Sequence, residues 1–373
     1  MATQSSTAVE QVDTYHELSG TALAHGESEL YRSRRLLHIV GQYEKATIVT
    51  HDNPDPDAIA TGWALRELIT RRIGVPTRLV GGGAIVRAEN RYMVELLQPP
   101  IELVDRLDFD DRTAIILVDC GIAATHHLLA GRREWPTAVI DHHVTPGCDS
   151  VEFCDIRQDV AASASIAAMY LLGEGIEPEA KLATALQYAL KTETKGGETS
   201  YSPLDRSVLQ WLANYADPEM LAEIEDAPLS RDYYGDMVLA LQNTFLYGDI
   251  AFCLLPRAEG SEVVGEVADL IIRCKEVHRV FCGAVIGSDV LISVRTAKGH
   301  GNATQLLQET LAGIGHGGGH DHRAGGKIAG VCLGDRVPCE IAEELKSRWL
   351  TSCRATRQRG TRLIRKQEIV KHL

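Results

Sequence analysis

Three features predict an α/β protein whose larger domain is a doubly wound parallel sheet, with a smaller α/β domain joined to it by a helical connector. Apolar stretches of strand character alternate with helical stretches through the first half of the chain. Two of the strands, Arg112–Val118 and Thr137–Ile140, are near-continuous apolar runs, as expected where both faces of a sheet are covered. The length of 373 residues sets a soft prior of two domains, at roughly 150 residues each.

Taken in order, residues 1–33 are polar and aperiodic, and Ser33–Tyr43 reads as a short amphipathic helix. Ala46–Thr50 is a buried strand, and residues 57–72 form a helix with Asp57 as its expected N-cap. Val75–Val80 is a second strand and Arg87–Leu97 a helix, followed by the two apolar strands. Helices then cover Ala162–Leu172 and Pro178–Leu190, and the first domain closes near residue 205. Residues 203–247 read as helical and strand-free, with 206–247 as the connector. A second α/β unit over 248–345 holds strands at Asp249–Leu255, Val280–Ile286 and Val290–Arg295, a helix at Val263–Val277 and a Gly/His-rich loop at 313–326. Residues 346–373 carry nine Lys/Arg against one acidic residue, a basic tail read as a solvated or frayed helix that attracts nucleic acid or a partner at most.

Composition excludes several classes. A hydrophobic share of 45% and a charged share of 24% are those of a globular protein. With 51 acidic and 38 basic residues the formal charge is −13, which argues against broad duplex-DNA binding through phosphate contacts. No apolar run reaches bilayer length and the polar N-terminus has no signal-peptide core, so a cytoplasmic protein without membrane contact is expected. Nine cysteines without a Cys-x-x-Cys pair read as thiol fillers in a reducing compartment.

The chemistry sits where three strands run into polar clusters: His51-Asp-Asn-Pro-Asp55-Pro-Asp57, then Asp119-Cys-Gly, then Asp141-His142-His143. Ligands of open parallel sheets bind at carboxyl ends of strands, so the clusters are placed to converge. Mixed carboxylate and imidazole donors without thiolate favour Mn²⁺, Mg²⁺ or Fe. Carboxylates crowded together raise one another's pKa and cost stability, and cations relieve that cost. Two cations about 3.5–4 Å apart would form a clamp for in-line attack on phosphorus. Cys120 is read as packing, and Arg87, Glu89 and Asn90 after Gly81-Gly-Gly83 as either a helix start or a border of the substrate cleft.

These clusters resemble the motifs of the DHH phosphoesterase superfamily: His51-x-x-x-Asp55-x-Asp57 the first, Asp119 the second, Asp141-His142-His143 the third. Gly317-Gly318-Gly319-His320 followed by Ala324-Gly-Gly is similar to the Gly-Gly-Gly-His signature of the DHH-associated domain, and Arg295 and Asn302 sit where that domain carries substrate-contacting groups. The resemblance covers residues 34–332 and points to the branch of RecJ-like nucleases and oligoribonuclease/pAp phosphatases. It implies a catalytic metal-binding domain over 34–205 and a substrate-binding domain over 248–345. His51, Asp55 and Asp119 would hold one metal; Asp57, Asp119 and His142 would hold the other, with Asp119 bridging. His143 would face the scissile phosphate, oriented by Asp141. The family's fourth motif supplies an aspartate to the second metal, whereas this sequence has Glu193, within Ala189-Leu-Lys-Thr-Glu193-Thr. Glutamate is a competent oxygen ligand with a longer arm; the alternative is a solvent-facing helix residue.

The glycine run is read as a loop whose backbone N–H groups approach a phosphate, with His320 and Arg295 adding charged hydrogen bonds, in preference to a third metal site among its histidines. The resemblance thus implies a hydrolase that cleaves short oligonucleotides, dinucleotides or pAp-like nucleotides by two-metal hydroxide attack, with two Mn²⁺ (or Mg²⁺) as cofactors. Its partners would be small nucleotides or short single strands; a homodimer is left open. The competing readings are a phosphoanhydride hydrolase acting on polyphosphate or pyrophosphate, and a nucleotide sensor whose second metal site Glu193 impairs.

Overall fold

A computed structural model describes residues 29–108, 110–132, 135–143, 150–194, 201–258, 260, 262–331, 337–356 and 359–364. Most of the polar N-terminal segment and the last nine residues of the basic tail lie outside them. The chain divides into two units, residues 1–227 and 228–373.

The first unit begins with α1 (residues 29–40). It continues through β1 (Lys45–Val49), α2 (Pro56–Ile73), β2 (Thr77–Gly81), α3 (Ala88–Leu97), β3 (Ile101–Leu103), β4 (Thr113–Val118), β5 (Ala138–Asp141) and β6 (Phe153–Ile156). Four helices follow, α4 (Ser163–Gly173), α5 (Ala180–Thr194), α6 (Pro203–Leu212) and α7 (Pro218–Glu225). The six strands form one parallel sheet in the order β3-β2-β1-β4-β5-β6. The chain runs outward from β1 through β2 to β3, then returns to the other side of β1 as β4. That reversal lies between β1 and β4, the place where such sheets bind ligands.

Period-two alternation sorts the strand residues between two layers. Ala46, Ile48, Ile116, Val118 and Ile140 join the large core with α1, α2, α4 and α5. Val49, Ile115, Leu117 and Val139 face the other way, onto Leu107, Cys120 and Leu129 from segments between strands. Strands β3 and β6 escaped the sequence reading. They are short edges with partly exposed residues, so neither shows a continuous apolar run.

The division at 227/228 falls inside the stretch read as a connector, and the elements there are shared between the units. Val208, Leu212 and Ile224 of α6 and α7 are buried in the first core. The second unit contains α8 (Arg231–Asn243), β7 (Thr244–Tyr247), β8 (Ile250–Leu255), α9 (Glu262–Ile271), β9 (Arg279–Ile286), β10 (Asp289–Thr296), α10 (Ala303–Leu311), β11 (His316–Gly319), β12 (Arg323–Ile328), α11 (Cys339–Ser352) and β13 (Thr361–Arg362). The stretch through 247 is therefore not strand-free: β7 pairs antiparallel with β8 across a turn in which Gly248 has φ +76°. The sheet order is β11-β12-β10-β9-β8-β7-β13, with only β8 and β9 parallel among these pairs. One face packs under α10 and α11, the other under α8 and α9.

Two further readings are corrected. Residues 346–356 and 359–364 do not form a frayed tail: Trp349 of α11 is fully buried, its Nε1–H donates to the Ala251 carbonyl at 3.1 Å, and β13 extends the sheet. Lys346 and Arg348 lie on the outer side of α11, whose buried side carries Leu345 and Trp349. The reading of all cysteines as thiols also fails, because Cys154 is disulfide-bonded. Cys120, Cys253, Cys274, Cys282, Cys339 and Cys353 are free.

Candidate metal centre

The sequence Pro-Asp55-Pro56-Asp57 starts α2. Asp55, not Asp57, is the N-cap: its Oδ1 accepts from the amides of Asp57 at 3.0 Å and Ala58 at 3.1 Å, with Pro56 at the first helical position. Asp57, one turn position inward, is fully buried and reaches the start of α4, where it accepts from the amides of Ser163 at 2.8 Å and Ala164 at 2.7 Å. A carboxylate at a helix N-terminus satisfies orphan amides and meets the positive end of the helix dipole. The start of α4 is held in turn by Asp205, whose oxygens accept from the Ala161 amide at 3.0 Å and the Ser165 hydroxyl at 2.5 Å.

Asp119 follows β4 in the left-handed region, at φ +57°, and its hydroxyl partner is Ser163, which donates to Oδ1 at 2.9 Å. A non-glycine residue in that region costs roughly 1–3 kcal/mol and persists where the surroundings hold it. Its two oxygens face different neighbours. Oδ2 lies 3.8 Å from His51 Nε2, which is also 3.8 Å from Asp55 Oδ1. Oδ1 lies 3.5 Å from His142 Nε2, which is 3.7 Å from Asp57 Oδ2. The His51 ring is oriented by its other nitrogen, 2.9 Å from the Asp52 carbonyl, so that Nε2 points to the carboxylates.

Asp141 closes the arrangement. Buried at the end of β5, its Oδ1 accepts from the amides of His142 at 2.8 Å and His143 at 3.1 Å and lies 2.9 Å from His143 Nδ1. His142 and His143 tilt against each other with ring centroids 4.1 Å apart. The structure therefore brings together His51, Asp55, Asp57, Asp119, Asp141, His142 and His143. His51, Asp55 and Asp119 form one group of ligand atoms within 4.8 Å of one another, and Asp119, His142 and His143 another.

Carboxylates are crowded here. Burial, then the charges of Asp57 and Asp55, push the Asp119 carboxyl well above its usual range, and burial raises Asp57 although His142 opposes it. Asp55 goes the other way: burial would raise it, but the hydrogen bond and charge of His51 hold it at about 2. The same contacts outweigh burial at His51 and lift its imidazole to about 9. Burial also opposes protonation of His143, and Asp141 wins, raising it. Such a donor set, with carboxylates strained by mutual repulsion and imidazole nitrogens aimed between them, fits hard to borderline divalent cations.

Glu193 lies in the last turn of α5. Its charge adds to the rise at Asp119, but it is not in either group of close donors among the described residues. Sequence reasoning missed Ser163 and Asp205, which carry no motif of their own and act by holding Asp119 and the start of α4. It also missed His126 and His127. His127 forms an isolated bridge with His51, and the His126 ring stands edge-on to His51 at 6.1 Å.

In the second unit the expected substrate residues occupy different settings. Arg295, on β10, donates from Nε to Asp269 Oδ1 and from Nη1 to Ser293 Oγ, both at 2.6 Å. Asn302 is the N-cap of α10, accepting from the Gln305 amide at 3.0 Å and donating to Asp321. The glycine run is not a loop: Gly317–Gly319 lie in β11, paired with Ala324–Gly326. A Cβ on Gly317 would meet Leu307 at 2.6 Å, and one on Gly319, at φ +152°, the Arg323 carbonyl at 2.3 Å, whereas Gly318 faces open space. Packing on α10 and β12 thus explains Gly317 and Gly319 without a ligand. His320 continues the pairing, its amide donating to the Arg323 carbonyl at 2.6 Å, and Arg323 stands opposite Arg295. Directly opposed residues share a face of the sheet, so Arg295 and Arg323 lie side by side.

Known proteins share parts of this chain's sequence and fold. Residues 45–190 match the model of the DHH family, N-terminal domain. An uncharacterized protein of Methanocaldococcus jannaschii is 31% identical over 282 residues, 75% of this chain, and the chain spans 57% of that relative's length. The crystal structure of an exopolyphosphatase-related protein from Bacteroides fragilis has a TM-score of 0.67 at 17% identity, over 86% of this chain and 96% of that one. RecJ of Thermus thermophilus, in complex with Mn²⁺, has a TM-score of 0.47 at 15% identity, over 87% of this chain and 55% of that one. No described helix is long and apolar enough to cross a membrane. With its three strand-end clusters gathered at the switch point of a six-stranded parallel sheet, the stretch over residues 45–190 matches the DHH family, N-terminal domain.

Proposed function

We propose that this chain is a metal-dependent phosphoesterase that binds two divalent cations and hydrolyses short oligonucleotides, dinucleotides or pAp-like nucleotides to mononucleotides. The observation that carries the reading is the double aspect of Asp119: one oxygen faces His51 and Asp55's neighbourhood, the other faces His142 and Asp57's. His51, Asp55 and Asp119 would hold one cation, and Asp57, Asp119 and His142 the other; Glu193 would lend charge from α5. Mn²⁺ suits the mixed imidazole and carboxylate set, and Mg²⁺ its carboxylates. When bound, such cations activate water near neutral pH and polarise a phosphoryl oxygen.

The remaining groups are ones this chain supplies. Asp141 fixes the His143 ring through Nδ1, so the opposite nitrogen, Nε2, is the one assigned to the phosphate. Asp141 raises His143 above the ordinary imidazole range although burial opposes it, and the ring would stabilise the charge that gathers on phosphoryl oxygens. Ser163 and the α4 amides hold Asp119 and Asp57 in place. On the second unit, Arg295, Arg323 and His320, with Gly318 leaving room beside them, would grip the nucleotide's phosphate.

The test is a hydrolysis panel with Mn²⁺ across dinucleotides, pAp, cyclic dinucleotides and polyphosphate. Release of mononucleotide from the short nucleotide esters supports the reading. Turnover confined to polyphosphate or pyrophosphate would replace it with a phosphoanhydride hydrolase. Tight nucleotide binding without turnover would replace it with a sensor.

A further inference from the structure

The second unit carries a cluster of metal-type donors that the chemistry above does not use. Asp249 lies in the turn between β7 and β8, His278 just before β9, and His300 in the turn after β10. One ligand atom from each lies within 4.8 Å of the others, the same closeness found in the two groups around Asp119. The imidazoles stack, with centroids 3.8 Å apart and planes inclined by 23°, and His278 Nδ1 is 3.6 Å from Asp249 Oδ2.

The three donors come from separate turns, yet backbone hydrogen bonds tie those turns together. The His278 amide donates to the Asp249 carbonyl at 2.8 Å, the Ala297 amide to the His278 carbonyl at 2.8 Å, and the His300 amide to the Ala297 carbonyl at 3.0 Å. Gly299 and Gly301, at φ +83° and +117°, let the His300 turn fold back tightly. The carboxylate has a fixed orientation: Arg279 Nη2 donates to Asp249 Oδ2 at 2.6 Å while its Nη1 binds the Cys353 carbonyl at 2.7 Å. That guanidinium keeps Asp249 ionised, below the ordinary carboxylate range despite partial burial. Metal-ligating carboxylates are characteristically held by such outer partners. All three side chains are partly exposed, so an ion has a path in and water can complete its coordination.

We propose that Asp249, His278 and His300 form an open, three-donor site for a divalent transition ion of the zinc type. Two imidazoles and one carboxylate make a borderline donor set, which prefers Zn²⁺ over Mg²⁺ or Ca²⁺. The site joins the ends of β8, β9 and β10, so occupancy would clip three turns of the second sheet together.

The test compares the full chain with its His278→Gln/His300→Gln variant by equilibrium dialysis against Zn²⁺ and elemental analysis. One equivalent fewer per chain in the variant is the expected result; equal stoichiometry overturns the site. Should the variant fail to fold by circular dichroism, the wild-type chain decides. Carbethoxylation of His278 and His300, followed by mass spectrometry, should slow at least tenfold with Zn²⁺ and not with Mg²⁺. Unchanged rates at both histidines would overturn the proposal.

Discussion

Replacing Asp119 with asparagine keeps the shape of the side chain and removes its charge, and the structure sets opposite outcomes for stability and activity. His51 Nε2 is 3.8 Å from oxygens of both Asp55 and Asp119, so those oxygens are at most about 7.6 Å apart; through His142 the Asp57–Asp119 separation is at most about 7.2 Å. At an effective dielectric of about 20, each repulsion is about 2 kcal/mol. Protonated His51 offsets the first, and the second, which His142 opposes only in part, remains. Without metal, Asp119→Asn is therefore expected to be more stable than wild type by about 2 kcal/mol, roughly 4–8 °C in midpoint for a unit of this size. With metal the order reverses. A cation at about a hundred times its dissociation constant stabilises wild type by about 2.7 kcal/mol, while the variant offers each cation one anionic donor fewer. Loss of several kcal/mol of transition-state stabilisation lowers turnover by at least about 10³-fold. The assay is thermal unfolding with chelator and across a Mn²⁺ titration, beside turnover. A variant that is less stable than wild type in chelator, or that gains as much from Mn²⁺, would refute the account of Asp119 as a charge held in place for cations.

Further outcomes are expected. His51, lifted to about 9 in the fold against about 6.5 when unfolded, adds stability fully present below pH 6.5 and lost as pH rises through 9; the raised acids act in the same direction. The unfolding free energy from urea denaturation in chelator should thus fall over that window, by at most about 3.4 kcal/mol for His51, and a flat profile would count against the coupling. Gly317→Ala should cost about 1–3 kcal/mol by overpacking against Leu307, whereas Gly318→Val should leave the melting temperature unchanged and raise KM for a dinucleotide, with an unaltered KM removing Gly318 from the substrate surface. Trp349→Ala should cost about 3–5 kcal/mol, since the indole is fully buried in the second core; a loss under about 1 kcal/mol would restore the picture of a dispensable tail. Asp205→Ala leaves the Ala161 amide and Ser165 hydroxyl unpaired, costing about 2 kcal/mol, and should weaken Mn²⁺ binding by loosening the α4 start that carries Asp57; unchanged Mn²⁺ affinity would limit Asp205 to a structural role.

The order of amino acids was enough to establish the parallel sheet and the residues that meet at its carboxyl edge. Apolar runs such as Thr113–Val118 show burial directly, and a strand's end is where its next polar residues must emerge, so His51, Asp119 and Asp141 could be placed without coordinates. Short edge strands and shared helices were invisible because their signal is spread over partners far apart in the chain. Asp55 rather than Asp57 caps α2 because Asp57 is drawn off to the α4 amides, which lie more than a hundred residues further along. Gly317 and Gly319 looked like a phosphate loop since glycine marks close approach of any kind, and only the pairing with β12 and the packing of Leu307 reveal what approaches. Which oxygen of Asp119 faces which histidine, and that Asp249, His278 and His300 meet at all, are distances between residues remote in sequence. Periodicity and spacing carry no such distances; the closing of the chain upon itself sets them.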